Sequence, residues 1–600
     1  MADGVRRFVG SFQRKAKSSI GRQGGQTDRP ARSDSQREDV IDRRLVAVVT
    51  VVTVALLAIS RYSIDPTGPL GWNWSILLLC VLLAATIGRM LIGYQGANEG
   101  DTEKSYSSKG VKIAVWLLLL GAATLPNVRT LDIGFLADDF GLIQAGEFAE
   151  GPLDVFRLLP LRVFYRPISL LVWWLGIHLW GGSALGYHLF SLLLHTGNTL
   201  LLYVLARRYM KSVFGGAMAA LLFALHPVHI EATVWASAQP DLLCTGFILL
   251  SMWFLERHLD LRADRRRYLS LSASLAAFFF ALLSKETAAA LLGIVLIRLL
   301  VISDNRRWTR VVRVGAVYFM VIVAYLGIRF AVLGRHWLGG YGVAISFWDA
   351  VFSPTPTRLA GQLLFPVHVM LFEAVLFPYL WLAAILLMAA GLLWWIGGIV
   401  FVSRQRLILY ASYLLVPMIP VAVARLNIGE AMASSRYAYI PSVGLALLFG
   451  ETCLRRRGDW RRGKIIGVAI LCVAATLSFW YVESWREAAR MRDEILAEGV
   501  RIVESLPDSP SPSRVFFTDL PVAHLGAALF VNGCHAAALS PLVGEHLSLQ
   551  DVGATTAESD VMDATELIPG EYVVAWKADS RRMVIERAGG DVQPPHEVQP

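Results

Sequence analysis

Charge is scarce in this chain. Only 17% of its 600 residues are Asp, Glu, Lys or Arg, where a soluble domain carries about 25%. That deficit excludes an ordinary soluble enzyme, an acidic tail protein and an intrinsically disordered chain. Cysteine is scarcer still, with five in all. Cys80, Cys244, Cys453 and Cys472 lie in or beside apolar runs and Cys534 stands alone, so neither a disulfide framework nor a CxxC metal motif is readable. All five read as small buried apolar residues. Repeats of solenoid period are also missing.

What the chain has in abundance is apolar sequence, 55% of it in the AVILMFWYC set. These residues fall in runs of about 16 to 25, the length a helix needs to cross roughly 30 Å of hydrocarbon. The reading is an all-α polytopic membrane protein with about thirteen transmembrane helices. They fall at 45–60, 74–94, 111–127, 187–206, 213–227, 240–256, 268–283, 287–303, 312–330, 377–402, 407–424, 440–454 and 465–482. A net charge of +9 could suggest nucleic acid. The cations instead sit in short clusters between apolar runs: Arg207-Arg208-Lys211, Arg265-Arg266-Arg267, Arg306-Arg307-Arg310, Arg404-Arg406 and Arg455-Arg456-Arg457. Every second loop is basic, which is the signature of cytoplasmic loops, so nucleic acid is not the expected partner.

The same count places the segment 128–186 outside the cytoplasm as a large outer loop, and 359–375 as interfacial or re-entrant. Residues 1–44 are too long and too mixed in charge for a signal-peptide n-region and read as a disordered basic cytoplasmic tail. After the transmembrane domain (45–483) comes a linker at 484–513, rich in Pro and Ser at its end. VFFTDLP, EYVVAWKAD and RRMVIERA then predict a small extracytoplasmic domain of β or α+β character at 514–590, before a disordered tail at 591–600.

Polar residues are most informative where a membrane makes them expensive. Four clusters lie at predicted outer ends of spans. Asp138-Asp139 follows the third span; two adjacent carboxylates beside apolar residues raise one pKa toward that of a general base, though Asp is also a common helix cap. Tyr165-Arg166-Pro167 opens a Trp-rich stretch that reads as an interfacial helix, with Arg166 facing Asp139, a phosphate or a lipid headgroup. His226, His229 and Glu231, with Asp241 following, could hold a divalent metal, but lack the i, i+4 spacing of a zincin and fit a hydrogen-bonded turn better. Lys285-Glu286 and Ser435-Arg436-Tyr437 complete the set, Arg436 being the group whose fork matches a phosphate.

Carboxylates and cations at one membrane face suit transfer of a sugar from a lipid phosphate. A carboxylate takes the proton of an acceptor hydroxyl, the hydroxyl attacks the anomeric carbon, and the cations stabilise the departing phosphate. A single displacement of this kind inverts the anomeric centre, unlike the two-carboxylate scheme of many hydrolases.

Read in order, DDF, YRP, GYHLFSLLLHTGNTLLLYVLARR, ALHPVHIEATVWASAQPDLL, SKETA and SSRYAYIPSVG resemble the GT-C superfamily of lipid-dependent glycosyltransferases. The resemblance is to the transmembrane and tetratricopeptide-repeat O-mannosyltransferases and their bacterial relatives, over about 130–300 and 430–445. It implies a GT-C-like fold, a polyprenyl-phosphate hexose donor, mannose among the candidates, and a hydroxyl acceptor on protein, glycan or lipid. It implies a base at Asp138 or Asp139, Asp138 being favoured. Donor-phosphate contacts would come from Lys285, Arg436 and Arg166. The acceptor side would be shaped by His226, His229, Glu231, Asp241, Glu286 and Tyr437. The lipid-linked sugar would be a substrate, no cofactor is implied for certain, and a divalent metal is left open. The animal enzymes' repeats are absent here. A bacterial inner membrane, with the N-terminus cytoplasmic and the C-terminal domain outside, is the expected location.

Two other classes fit part of the pattern. A transporter or lipid flippase would want charges near the bilayer midplane and two related halves. An O-antigen ligase or polymerase would carry its key residues in a late outer loop, where Arg335 and His336 stand.

Overall fold

The computed structural model describes residues 109–147, 149–157, 164–261, 265–301, 307–334, 353–364, 397–400, 402–424, 434–455 and 460–506. In the C-terminal part it describes 513–518, 547–551, 571–578 and 580–588, with a few isolated positions elsewhere. The predicted spans at 45–60 and 74–94, nearly all of that at 377–402, both terminal tails, Cys80, Cys534, Arg335 and His336 lie outside these residues. So does most of 359–375, of which only the beginning is seen, as helix.

The described chain is mostly helical. In order, the helices are α1 (Lys109–Thr124), α2 (Asp139–Glu147), α3 (Pro167–Trp180), α4 (Ala184–Met210), α5 (Val213–Leu225), α6 (Ile230–Val234), α7 (Gln239–Asp260), α8 (Arg265–Ser284), α9 (Ala290–Val301) and α10 (Arg307–Leu333). They continue with α11 (Pro354–Leu364), α12 (Arg404–Leu415), α13 (Met418–Val423), α14 (Pro441–Arg455) and α15 (Trp460–Ser505).

Seven segments among the described residues are long and apolar enough to cross a membrane. They are Gly110–Asp132, Ala184–Met210, Ala236–Asp260, Arg265–Ser284, Trp308–Leu333, Arg404–Val423 and Ile466–Ser505; the bent pair Val213–Leu225 and Pro227–Val234 makes an eighth if it counts as one span. The chain is a multi-pass membrane protein; ten of the thirteen expected spans fall on described residues, and at most eight of those ten are long enough. The span expected at 287–303 fails on length. Lys285 is extended (φ −158°) and a 3-10 turn takes up Glu286–Ala289. That leaves α9 with 12 residues, about 18 Å at the helical rise, against roughly 30 Å of hydrocarbon. The 15 residues of α14 fall short in the same way.

Proline shapes the break after α5. His226, as the residue before Pro227, is held extended (φ −73°, ψ 124°), and the two halves of the segment meet at 52°. Glycine lets neighbours close in. A Cβ on Gly450 would sit 2.4 Å from the Gly215 carbonyl oxygen, and one on Gly444 would sit 2.3 Å from the Leu414 nitrogen. α14 therefore meets α5 and α12 backbone to backbone, the small-residue packing that drives helix association where no hydrophobic gradient exists. A large core cluster joins α4, α7, α8, α9 and α10 through Leu205, Leu249, Phe278, Leu291 and Tyr318, all buried.

Residues 484–505, read from sequence as the start of a linker, are helix: α15 runs unbroken to Ser505. Three i, i+3 pairs, Glu483–Arg486, Glu487–Arg490 and Glu498–Arg501, stabilise that polar extension by a few tenths of a kcal/mol each, of order 0.2–0.5. Beyond it lies a four-stranded sheet in the order β4-β1-β5-β6, built from β1 (Ser513–Thr518), β4 (Leu547–Asp551), β5 (Glu571–Lys577) and β6 (Arg582–Ala588). The short β2 (Ala523–His524) and β3 (Ala527–Ala528) pair separately. β1 is parallel to β4 and β5, while β5 and β6 are antiparallel. The sheet rests on α15, where Arg581 pairs with Glu494 and the Met583 amide donates to Glu498.

Candidate active site

The sequence-predicted polar residues meet at one end of the bundle. The other end is marked by Arg208, Arg298 and Arg406, which pair with Glu256, Asp260 and Glu451. Ion pairs link the motifs to one another. Lys285, at the end of α8, donates to both carboxylate oxygens of Asp241 at the start of α7 (2.7 and 2.6 Å), and the two side chains are only 3% and 4% exposed. Arg166, ahead of α3, grips Glu286 with both edges of its fork, Nε to Oε2 at 3.0 Å and Nη2 to Oε1 at 2.6 Å. Burial alone would raise the Glu286 carboxyl; the Arg166 charge overcomes it and holds the pKa at about 2.

Arg436 has a different surrounding. Its Nη1 pairs with Glu231 Oε1, and Glu231 Oε2 also accepts from the Ser435 hydroxyl (3.0 Å) and the Arg436 amide (3.1 Å). The guanidinium lies 4.5 Å from the Trp235 ring and 5.0 Å from that of Tyr437. Tyr437 has Lys285 Nζ 4.6 Å from its ring as well, so one aromatic ring meets both cations. The side chain remains 21% exposed. Burial opposes its charge, but Glu231 and other neighbouring anions, including Asp241 and Asp138, raise its pKa above the ordinary arginine value.

The two adjacent carboxylates divide their work. Asp139 is fully buried: Oδ2 accepts from the Leu136 amide (2.9 Å) and Oδ1 from the amide (2.7 Å) and hydroxyl of Ser237. It ties the start of α2 to the turn before α7, a tertiary clasp rather than a helix cap, since neither amide that donates to it belongs to α2. Burial pushes its pKa up to about 7, against the pull of those donors. Asp138 is half-buried. Burial raises its pKa too, and the Arg436 charge draws it part of the way back.

The histidines do not converge on a metal. His226 Nε2 meets the Leu363 carbonyl oxygen (3.0 Å), His226 Nδ1 accepts from the Val228 amide (3.2 Å), and His229 Nε2 meets the Ser442 hydroxyl (2.7 Å). With Glu231 committed to Arg436, each member of the trio faces its own partner. Among the described residues no group of three His, Cys, Asp or Glu side chains is arranged to hold a metal ion. Cys244, Cys453 and Cys472 are buried and form no disulfide.

Several residues that sequence reasoning passed over belong to this end of the bundle. Ser237 fixes Asp139. His195 Nδ1 bonds the Tyr439 hydroxyl (2.8 Å), and Asn198 donates to the Leu242 carbonyl (2.8 Å). The signal for both was the polar HTGNT inside an apolar run. Arg492, on α15, donates to the Phe135 carbonyl three residues before Asp138; nothing in its own segment distinguishes it from neighbouring arginines.

Residues 166–332 match the family model described as dolichyl-phosphate-mannose-protein mannosyltransferase. Protein O-mannosyl-transferase Tmtc1 of Drosophila melanogaster is 33% identical over 185 residues, covering 28% of this chain and 21% of the fly protein. Protein O-mannosyl-transferase TMTC1 of Homo sapiens is 31% identical over 219 residues, 32% of this chain and 24% of the human protein. The chain thus spans under a quarter of the length of these curated relatives. Among solved structures, ArnT from Cupriavidus metallidurans in the apo state aligns over 79% of this chain and 94% of that one, with 16% identity and a TM-score of 0.45. The stretch matched by the family model holds Arg166, His226, His229, Glu231, Asp241, Lys285 and Glu286. Through it the chain resembles the transmembrane and tetratricopeptide-repeat O-mannosyltransferases.

Proposed function

We propose that the protein is a membrane glycosyltransferase that moves a sugar from a polyprenyl-phosphate donor to a hydroxyl acceptor on the extracytoplasmic face. The observation that carries the reading is a half-buried carboxylate, Asp138, that feels the charge of a partly open guanidinium, Arg436, at the end of the bundle where the motifs meet. Asp138 accepts the acceptor's proton as the hydroxyl oxygen bonds to the anomeric carbon. The bond from that carbon to the phosphate oxygen breaks, and the polyprenyl phosphate leaves with the electron pair. Arg436 stabilises the charge on the leaving phosphate, so a separate acid is dispensable, and the single displacement inverts the anomeric centre. Trp235 and Tyr437 wall the guanidinium and keep its charge unscreened.

In this scheme Lys285, buried on both oxygens of Asp241, and Arg166, which gives both edges of its fork to Glu286, act on the phosphate through field and position, whereas the Arg436 guanidinium gives Glu231 one terminal nitrogen. Asp139 holds the loop. His226, His229, Glu231, Asp241, Glu286 and Tyr437 shape the acceptor side. The lipid-linked sugar is a substrate rather than a resident cofactor. The acceptor is a protein or a glycan, mannose leads among the donors through the relatives' names, and a bacterial inner membrane is the setting.

The test is donor consumption by the purified chain in lipid, against a panel of polyprenyl-phosphate sugars, with a membrane extract supplying acceptors. Asp138→Asn is expected to bind the donor and lose turnover by about 10²- to 10⁴-fold, the range of general-base loss. Full turnover by Asp138→Asn sinks the assignment of the base. No donor bound by a folded wild type sinks the transferase. Adding EDTA to the same assay decides whether a divalent cation takes part.

A further inference from the structure

The segment that presents Asp138 is held from the far side by α15. Arg129 pairs with Glu483 (2.9 Å) and Asp132 with Arg486 (2.7 Å), and the buried Arg492 donates through Nη1 to the Phe135 carbonyl. Trp235, which stacks on Arg436, donates its indole N–H to the next carbonyl, Leu136 (3.1 Å). The Leu136 amide is taken by Asp139. The turn from Phe135 to Asp138 therefore has its first two carbonyls fixed by two side chains from other elements. Space beside Arg492 is equally specified, since a Cβ on Gly134 would lie 2.7 and 2.8 Å from its two terminal nitrogens.

We propose that Arg492 is a positioning residue for the reaction: by anchoring Phe135 it sets where the Asp138 carboxylate stands relative to Arg436. Its side chain is only 6% exposed and its Nη2 is balanced by Asp493 (2.5 Å), so it is not placed to meet a substrate. Its effect runs through the backbone of residues 134–138. A buried arginine is a demanding way to hold one carbonyl. A fixed carbonyl three residues from a general base repays it, because near-attack geometry is lost with displacements of about 1 Å.

The inference rests on Asp138 being the base, and the contact can be loosened from either side. Arg492→Lys keeps the charge and loses the fork, while Gly134→Ala keeps the arginine and pushes it off Phe135. Both variants, the double variant and Asp138→Asn are compared in lipid for hydrogen exchange of the 133–142 amides, donor KM and kcat. Each single change is expected to speed exchange there and lower kcat roughly 10- to 100-fold with donor KM unchanged. The double variant should be no worse than the worse single, since both break one contact. Unchanged exchange overturns the clamp whatever the activity does. Faster exchange with wild-type kcat, while Asp138→Asn is inactive, overturns the positioning role. Full turnover by Asp138→Asn instead removes the base reading, and the exchange data still decide whether Arg492 holds the loop.

Discussion

The two ends of the helix bundle are built from the same residue types and use them differently. At the arginine-rich end, Glu256 and Glu451 are 2% and 0% exposed, and the arginines that reach them, Arg208, Arg298 and Arg406, stay 31%, 18% and 25% exposed. The anion is the buried partner and the cation bridges it to water, as a snorkelling side chain does at a membrane boundary. At the motif end the pattern breaks. Lys285 and Asp241 are both buried, Arg166 and Glu286 are both partly open, and Arg436 is shared between Glu231 and the neighbourhood of Asp138. An end made for anchoring repeats one solution. The end that carries the motifs keeps that solution in Arg436–Glu231 (21% and 6% exposed), departs from it in the other two pairs, and there alone among the described residues places a second carboxylate with a raised pKa near the cation. Ion pairs alone do not identify a site; the departure from the anchoring pattern does.

The comparison predicts its largest effect at the pair with both partners buried. Lys285→Met leaves the Asp241 carboxylate without its cation, and breaking a buried pair in this way costs about 3–5 kcal/mol. Glu256→Gln at the other end should cost less, about 1–3 kcal/mol, because Arg208 keeps Asp260 and Arg298 keeps access to water. Thermal unfolding in one detergent ranks the two. Equal losses would mean that the ends are energetically alike.

A sharper contrast comes from pH. The folded pKa of Asp139 is about 7 against an ordinary 3.8, so its carboxyl favours the neutral form when buried. Its contribution to stability is complete below pH 3.8 and declines as pH rises to about 7, since the unfolded chain ionises first. Relative to Asp139→Asn, the wild type should therefore lose stability steadily across that window and level off above it. The opposite holds for Glu286, whose pKa is lowered to about 2: its stabilisation is present above an ordinary carboxyl pKa of 4.5 and is lost only as pH falls toward 2. Unfolding midpoints at closely spaced pH values separate the two carboxylates. An Asp139→Asn difference that stays flat from pH 4 to 7 would show that the wild-type carboxyl is ionised throughout.

Much of this contrast was legible in the sequence, and the part that was not has a physical cause. Apolar runs located most of the described spans to within a few residues, because hydrophobic length is a one-dimensional signal, but the last, expected at 465–482, runs on to Ser505. The runs misled where a polar turn sat inside them: the extended Lys285 and its 3-10 turn shortened α9, and Pro227 bent the segment after α5. The motif residues were found because charge at a span end is costly and therefore conspicuous. Their division of labour was not. Asp138 and Asp139 are indistinguishable neighbours in sequence, and the bonds that fix Asp139 come from Leu136 and from Ser237, about a hundred residues on. Arg492 was invisible for the same reason, since its partner is a carbonyl and carbonyls carry no sequence signature.

The smallest predicted effect is the one that most directly tests the division between the ends. Arg208 is 31% exposed, and its Nη2 pairs with Asp260, itself 61% exposed. Removing such a cation by Arg208→Ala should cost no more than about 1 kcal/mol, because solvent screens the pair with Asp260 and Arg298 still satisfies Glu256 (2.5 and 2.8 Å). Turnover and donor KM should match the wild type. Arg436→Lys, by contrast, keeps the charge but replaces the fork that packs on Trp235 and pairs with Glu231, and should lower turnover and raise donor KM by about tenfold each. The two variants run side by side in the donor assay. A loss of turnover in Arg208→Ala comparable to that in Arg436→Lys would mean that the arginine-rich end takes part in the reaction, and the anchoring role assigned to Glu256 and its partners would have to be given up.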